Sequence, residues 1–229
     1  MAHLQFLGIH IFYYLLVAAF LLPRIPVVGK FFNIINTLVH ELGHALMSLL
    51  LHGKVSNIKV FQDTSGVTTT QSNSKFKSTL VSLAGYPFAS VMAFVCFFLL
   101  SVGYEKWILV GLTAIFLLML IFWIRNWYGA IWVLVFTLIN IAFLYFWHND
   151  TANEIVAGFY SMMVLVESVW STFVLVYLSV KTPDKAGDAT NLHKFTHLPA
   201  VIWAVLFALF ALMMAYLSLV KVSILTWWF

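Results

Sequence analysis

Long apolar runs alternate with short polar breaks along the whole chain. Cut at those breaks, the runs fall at residues 5–22, 31–51, 80–102, 107–124, 129–147, 155–180 and 199–220. Each comes close to the roughly 20 mostly apolar residues that a helix needs to cross a hydrocarbon core. The pattern therefore predicts an all-α polytopic membrane protein, about seven transmembrane helices in one domain spanning 1–229. The first run lacks a basic leader and an A-x-A cleavage site and reads as a retained anchor carrying His10. One break differs in kind. Between Gly53 and Lys77, Val55, Ile58, Val60 and Val67 are set among Thr, Ser and Lys around the turn Asp63-Thr64-Ser65-Gly66. That pattern predicts a β-hairpin over 55–70, directly after the second helix.

Composition removes the soluble alternatives. Of 229 residues, 63% are hydrophobic and 9% charged, and the mean hydropathy is +0.99. Twelve basic and eight acidic residues are too few to coat a globule of this size. The net charge of +4 is spread over short loops, not gathered on a stripe or arm, so no nucleic-acid footprint is present. Cys96 is the single cysteine, which excludes an intrachain disulfide framework and a cysteine-based metal cluster. With seven alternating crossings, Lys54, Lys59, Lys75, Lys77, Arg125, Lys181, Lys185 and Lys194 share one face, against Arg24, Lys30, Lys106 and Lys221 on the other. The richer face is the cytoplasmic one by the positive-inside rule, which places the N-terminus in the cytoplasm. Trp107, Trp123, Trp127, Trp147, Trp227 and Trp228 fall near span ends, as an aromatic belt requires.

The chemistry is concentrated in the second helix, where His40, Glu41, Leu42, Gly43 and His44 form H-E-x-x-H. Residues four apart share a helix face, so both imidazoles reach one metal ion while Glu41 sits beside the water that the metal activates. Zn2+ held by two His and a carboxylate keeps a position open for that water, and Glu41 is placed to act as general base. Charged groups inside an apolar span are costly, so such a cluster signals function. Asn36 and Asn33, one and two turns before His40, lie roughly on the same side and are candidates to hydrogen-bond a substrate carbonyl or a developing oxyanion. The hairpin offers a strand edge on which an unwound substrate segment can pair.

The stretch from Asn36 through Gly53, the following segment ending in SGVT, AGYPFAS at 84–90, IRNWYG at 124–129 and GDATNLHKFTHLPAVIW at 187–203 together resemble the site-2 protease type of intramembrane zinc metallopeptidase, in particular its small bacterial B-like branch. The resemblance covers most of the chain after residue 33. It implies a peptidase of the bacterial cytoplasmic membrane that cleaves membrane proteins or peptides in or near their transmembrane segments, with His40 and His44 as zinc ligands and Glu41 catalytic. The chain departs from the better-known members in lacking an L-D-G motif, whose Asp is their third ligand. In the resembling branch an Asp-Ala pair stands before the final helix, and Asp188-Ala189 occupies that place here. Asp188 can reach the second helix if 187–197 dips into the membrane, where it would line a watery cavity. Glu167, in the middle of the sixth span, is the rival third ligand. His193 and His197 add imidazoles near Asp188. Two other functional classes share these residues: a non-proteolytic membrane regulatory or binding protein with the same fold, and a cation or proton transporter using the His/Glu cluster. The absence of symmetric halves disfavours the transporter.

Overall fold

A computed structural model describes residues 5–6, 9–72, 74–146 and 150–226. Two short strands, β1 (Gln5–Phe6) and β2 (Ile9–His10), pair antiparallel and lead into α1 (Ile11–Leu21). A 3-10 turn at Leu22–Arg24 precedes α2 (Val28–Leu50), and the hairpin β3 (Lys54–Val60) and β4 (Gly66–Gln71) follows. Then come α3 (Lys75–Ser101), α4 (Glu105–Phe122), α5 (Trp127–Phe146), α6 (Asp150–Lys181), the short α7 (Gly187–Thr196) and α8 (Ala200–Thr226).

Six of the expected spans form as helices close to their expected limits. The first does not. The His10 side chain accepts the Phe12 backbone N–H at 3.2 Å and so fixes the start of α1 at residue 11, while Pro23 and Pro26 end it. Eleven residues rise only about 16 Å. Among the described residues, five helices are long and apolar enough to cross a membrane, six if the α1–α2 pair, bent by 103°, counts as one crossing. The expected count of seven is not confirmed among them. At the bend Val27 adopts φ +71°, a strained conformation for a β-branched residue. Gly29 allows the tight approach, because a Cβ there would lie 2.3 Å from the Pro23 carbonyl oxygen. Trp107 and Trp127 are exposed near helix starts, whereas Trp147, Trp227 and Trp228 lie outside the described residues.

Helix α3 packs on α2, α6 and α8. Its buried face carries Ala84, Gly85, Ala89 and Ala93, small residues that let helix backbones come close in a bilayer. Gly43 of α2 meets this face: a Cβ there would stand 2.7 Å from Phe88 Cβ. Farther from the motif, Asn140 donates to Thr113 Oγ1 (3.0 Å) and Tyr160 donates to Asn140 Oδ1 (3.1 Å), joining α4, α5 and α6.

The expected hairpin is present, antiparallel, with an irregularity between Val55 and Asn57. Its turn is closed by Asp63 Oδ1, which accepts the Ser65 N–H (3.0 Å) and hydroxyl (2.6 Å). The outer edge of β3 is occupied: Ile58 N–H donates to the Trp123 carbonyl (2.7 Å) and Arg125 N–H to the Ile58 carbonyl (3.1 Å). Asn126 completes that junction by donating to the Val60 carbonyl (2.7 Å) and accepting the Val60 N–H (3.2 Å). Among the described residues no strand pairs with the other edge of β4.

Candidate active site

Helix α2 presents His40 and His44 on one face, their Nε2 atoms 3.0 Å apart. His44 Nδ1 donates to the Val81 carbonyl at 2.7 Å, which turns its Nε2 lone pair towards His40. Asp188 arrives from α7 and places Oδ2 3.2 Å from each Nε2. The stretch expected to dip as a loop is helical from Gly187. Thr190 fixes its start by accepting the Ala186 N–H at 2.9 Å and donating back to the Pro183 carbonyl. As the second residue of α7, Asp188 also sits at the positive end of the helix dipole.

These three residues form a cluster able to hold a metal ion. Donors about 2.0–2.1 Å from a tetrahedral Zn2+ stand about 3.3 Å apart, and the three donor atoms here stand 3.0–3.2 Å apart. Gly85 of α3 leaves the room: a Cβ there would lie 2.5 Å from His40 Cε1 and 2.6 Å from the Nε2 atoms of both His40 and His44. The donor set and the space fit zinc. Tyr86 follows, its ring edge-on to His40 with centroids 4.5 Å apart and its other face stacked on Phe207.

Glu41 is buried beside the cluster. Thr68 of β4 donates to its Oε2 at 2.5 Å. All four residues line one cavity of about 650 Å³, shared with Asn36, Tyr86 and β4. Asn36 Oδ1 is buried without a hydrogen-bond partner. Asn33 is not brought to this cavity: its amide donates to the Pro23 carbonyl (3.3 Å) and so ties α2 to the bend. Glu167 stands apart from the cluster as well, in an ion pair with Arg24, whose guanidinium also lies over the Phe20 and Trp170 rings. His193 Nδ1 is bound to the Leu198 carbonyl at 2.8 Å, and neither it nor His197 joins the three donors.

A family model described as Peptidase M50B-like matches residues 11–218. The chain belongs to this family. The resemblance read from H-E-x-x-H and its companions is thereby met at family level, and M50 peptidases are in general zinc enzymes of the membrane. Comparison with curated proteins and with solved structures gives no match. This M50B-like chain also uses residues that the sequence reading did not single out: Thr68 on Glu41, Gly85 under the imidazoles and Tyr86 against His40. Each lies in a stretch that carried the family resemblance, SGVT or AGYPFAS. None could be assigned a contact before α2, α3 and the hairpin were set side by side.

Proposed function

We propose that this M50B-like protein is an intramembrane zinc metalloendopeptidase that hydrolyses peptide bonds in or near transmembrane segments. The observation that carries the reading is the convergence of His40, His44, Asp188 and Glu41 on one cavity within a helical membrane protein. His40, His44 and Asp188 would hold the ion. Zinc supplies, when bound, an acidified water and a polarised carbonyl. Glu41 takes the proton of the attacking water on its carboxylate and returns it to the leaving amine nitrogen. Thr68 holds that carboxylate by donating to Oε2. Asn36 offers its side-chain amide to the substrate carbonyl as the tetrahedral centre forms.

The substrate is a membrane protein or peptide whose helix unwinds near the site. Support for capture by strand addition comes from the two hairpin edges, since β3 is paired with 123–125 and β4 faces the cavity. We place the basic face, with Lys75, Lys77, Lys181 and Lys185, in the cytoplasm of a bacterial cell. On this placement, an N-terminus in the cytoplasm needs the segment before α2 to cross as well.

The test is cleavage of a membrane-embedded peptide by purified protein in proteoliposomes, with metal content measured on the same samples. Wild-type protein is expected to cleave and Glu41→Gln to lose cleavage while keeping zinc. Stoichiometric zinc with no cleavage of any membrane peptide would turn the reading to a non-proteolytic regulator. Ion flux without cleavage would turn it to a transporter.

A further inference from the structure

The hairpin grips the same turn of α2 that carries the chemistry. Thr37 Oγ1 donates to the Thr64 carbonyl at 2.7 Å and pins the hairpin tip. Two residues on, Gly66 is pressed so closely on Glu41 that a Cβ would stand 2.5 Å from Oε1. Thr68 then reaches Oε2 at 2.5 Å and the Glu41 carbonyl at 3.2 Å. Alternation along β4 puts Gly66, Thr68 and Thr70 on the half-buried face, with Val67, Thr69 and Gln71 exposed. A carboxylate on a flexible side chain has several rotamers, and a donor on a paired strand selects one of them.

We infer that Thr68 is a positioning residue for Glu41, fixing its carboxylate beside the cluster through strand β4. This rests on the reading of Glu41 as general base. It has a consequence for substrates: a segment that adds to the open edge of β4 stiffens the strand that holds the base, so pairing and chemistry are coupled through one hydroxyl. A side chain at 68 that packs equally well but cannot donate would bind substrate normally and turn it over slowly.

The experiment compares Thr68→Val, which keeps the branched shape, with Thr68→Ser, which keeps the hydroxyl, in full-length protein with measured zinc content. Thr68→Val is expected to lower kcat by about 10- to 100-fold, the range for losing a hydrogen bond to a charged group, with KM within about twofold and zinc unchanged. Thr68→Ser is expected to return kcat to within about threefold of wild type. In a Glu41→Gln background, Thr68→Val should add no further loss. An unchanged kcat in Thr68→Val overturns the inference, as does a loss that Ser does not rescue or that tracks lost zinc. Hydrogen exchange over residues 66–71 supplies the readout independent of turnover. If wild type cleaves nothing, the peptidase reading fails, and the contact is judged by exchange alone. Faster exchange in Thr68→Val but not in Thr68→Ser upholds the clamp, and equal exchange in both overturns it.

Discussion

Arg24, at the corner between α1 and α2, donates to the carboxylate of Glu167 in the middle of α6. The acid that competes on sequence grounds for the metal is thus engaged elsewhere, and the pair fastens the bent N-terminal arm to the bundle. Glu167→Gln is expected to keep full zinc content and to lose stability. Breaking a buried pair costs about 3–5 kcal/mol, and because Arg24 is 29% exposed the lower end applies. Thermal unfolding in detergent beside metal analysis checks both halves, and Arg24→Met combined with Glu167→Leu should recover much of the loss.

Asp188 gives the opposite outcome. Asp188→Asn removes an anionic donor 3.2 Å from both imidazole nitrogens and is expected to weaken zinc binding by more than the 10- to 100-fold typical of altering a ligand's hydrogen-bond partner. Competition with a chelator of known affinity measures it. Retention of wild-type affinity would remove Asp188 from the site.

Gly85→Ala tests the space beneath the imidazoles. A methyl group 2.5–2.6 Å from His40 and His44 must displace both rings, so zinc affinity should drop by about tenfold or more and stability by about 1–3 kcal/mol from overpacking. Gly85→Ser should behave similarly, whereas Gly111→Ala, inside α4 where a Cβ meets nothing within 4 Å, should leave zinc affinity unchanged and not lower stability.

The legible part of the protein was the part written in local pattern. Helix periods, the hairpin's alternation and the four-residue spacing of His40 and His44 depend on neighbours in sequence. What pattern could not supply was pairing across the fold. Asn126 sits at the end of an apolar run, where snorkelling to the headgroups is the ordinary reading, yet it holds both polar groups of Val60. Arg125 beside it caps α4, donating to the Ile121 and Phe122 carbonyls. Asn33 and Asn36 have the same residue type on nearly the same face. The bend at Pro23 claims the first and leaves the second in the cavity. The length of the first span was misjudged for a similar reason, since an apolar stretch does not reveal that His10 will cap the helix from within it.

The hairpin turn carries a pH dependence of known sign. Hydrogen bonds from the Ser65 hydroxyl and backbone N–H hold Asp63 below its ordinary value of 3.8. A depressed folded value means that the stabilisation is present above the unfolded value and fades as pH falls through the folded one. Exchange of the Ser65 amide should therefore be slow from neutral pH down to about 4 and accelerate in stronger acid, relative to its intrinsic rate. Asp63→Ala should show the fast behaviour at every pH.

The shortness of α1 extends its effect into the surrounding lipid. Tyr13, Val17, Phe20 and Leu21 turn outward from a helix about 16 Å long, beside a hydrocarbon layer about 30 Å thick. Lipid that adjoined α1 as a membrane flank would have to thin to match it, at a cost of fractions of a kcal/mol per Å of mismatch.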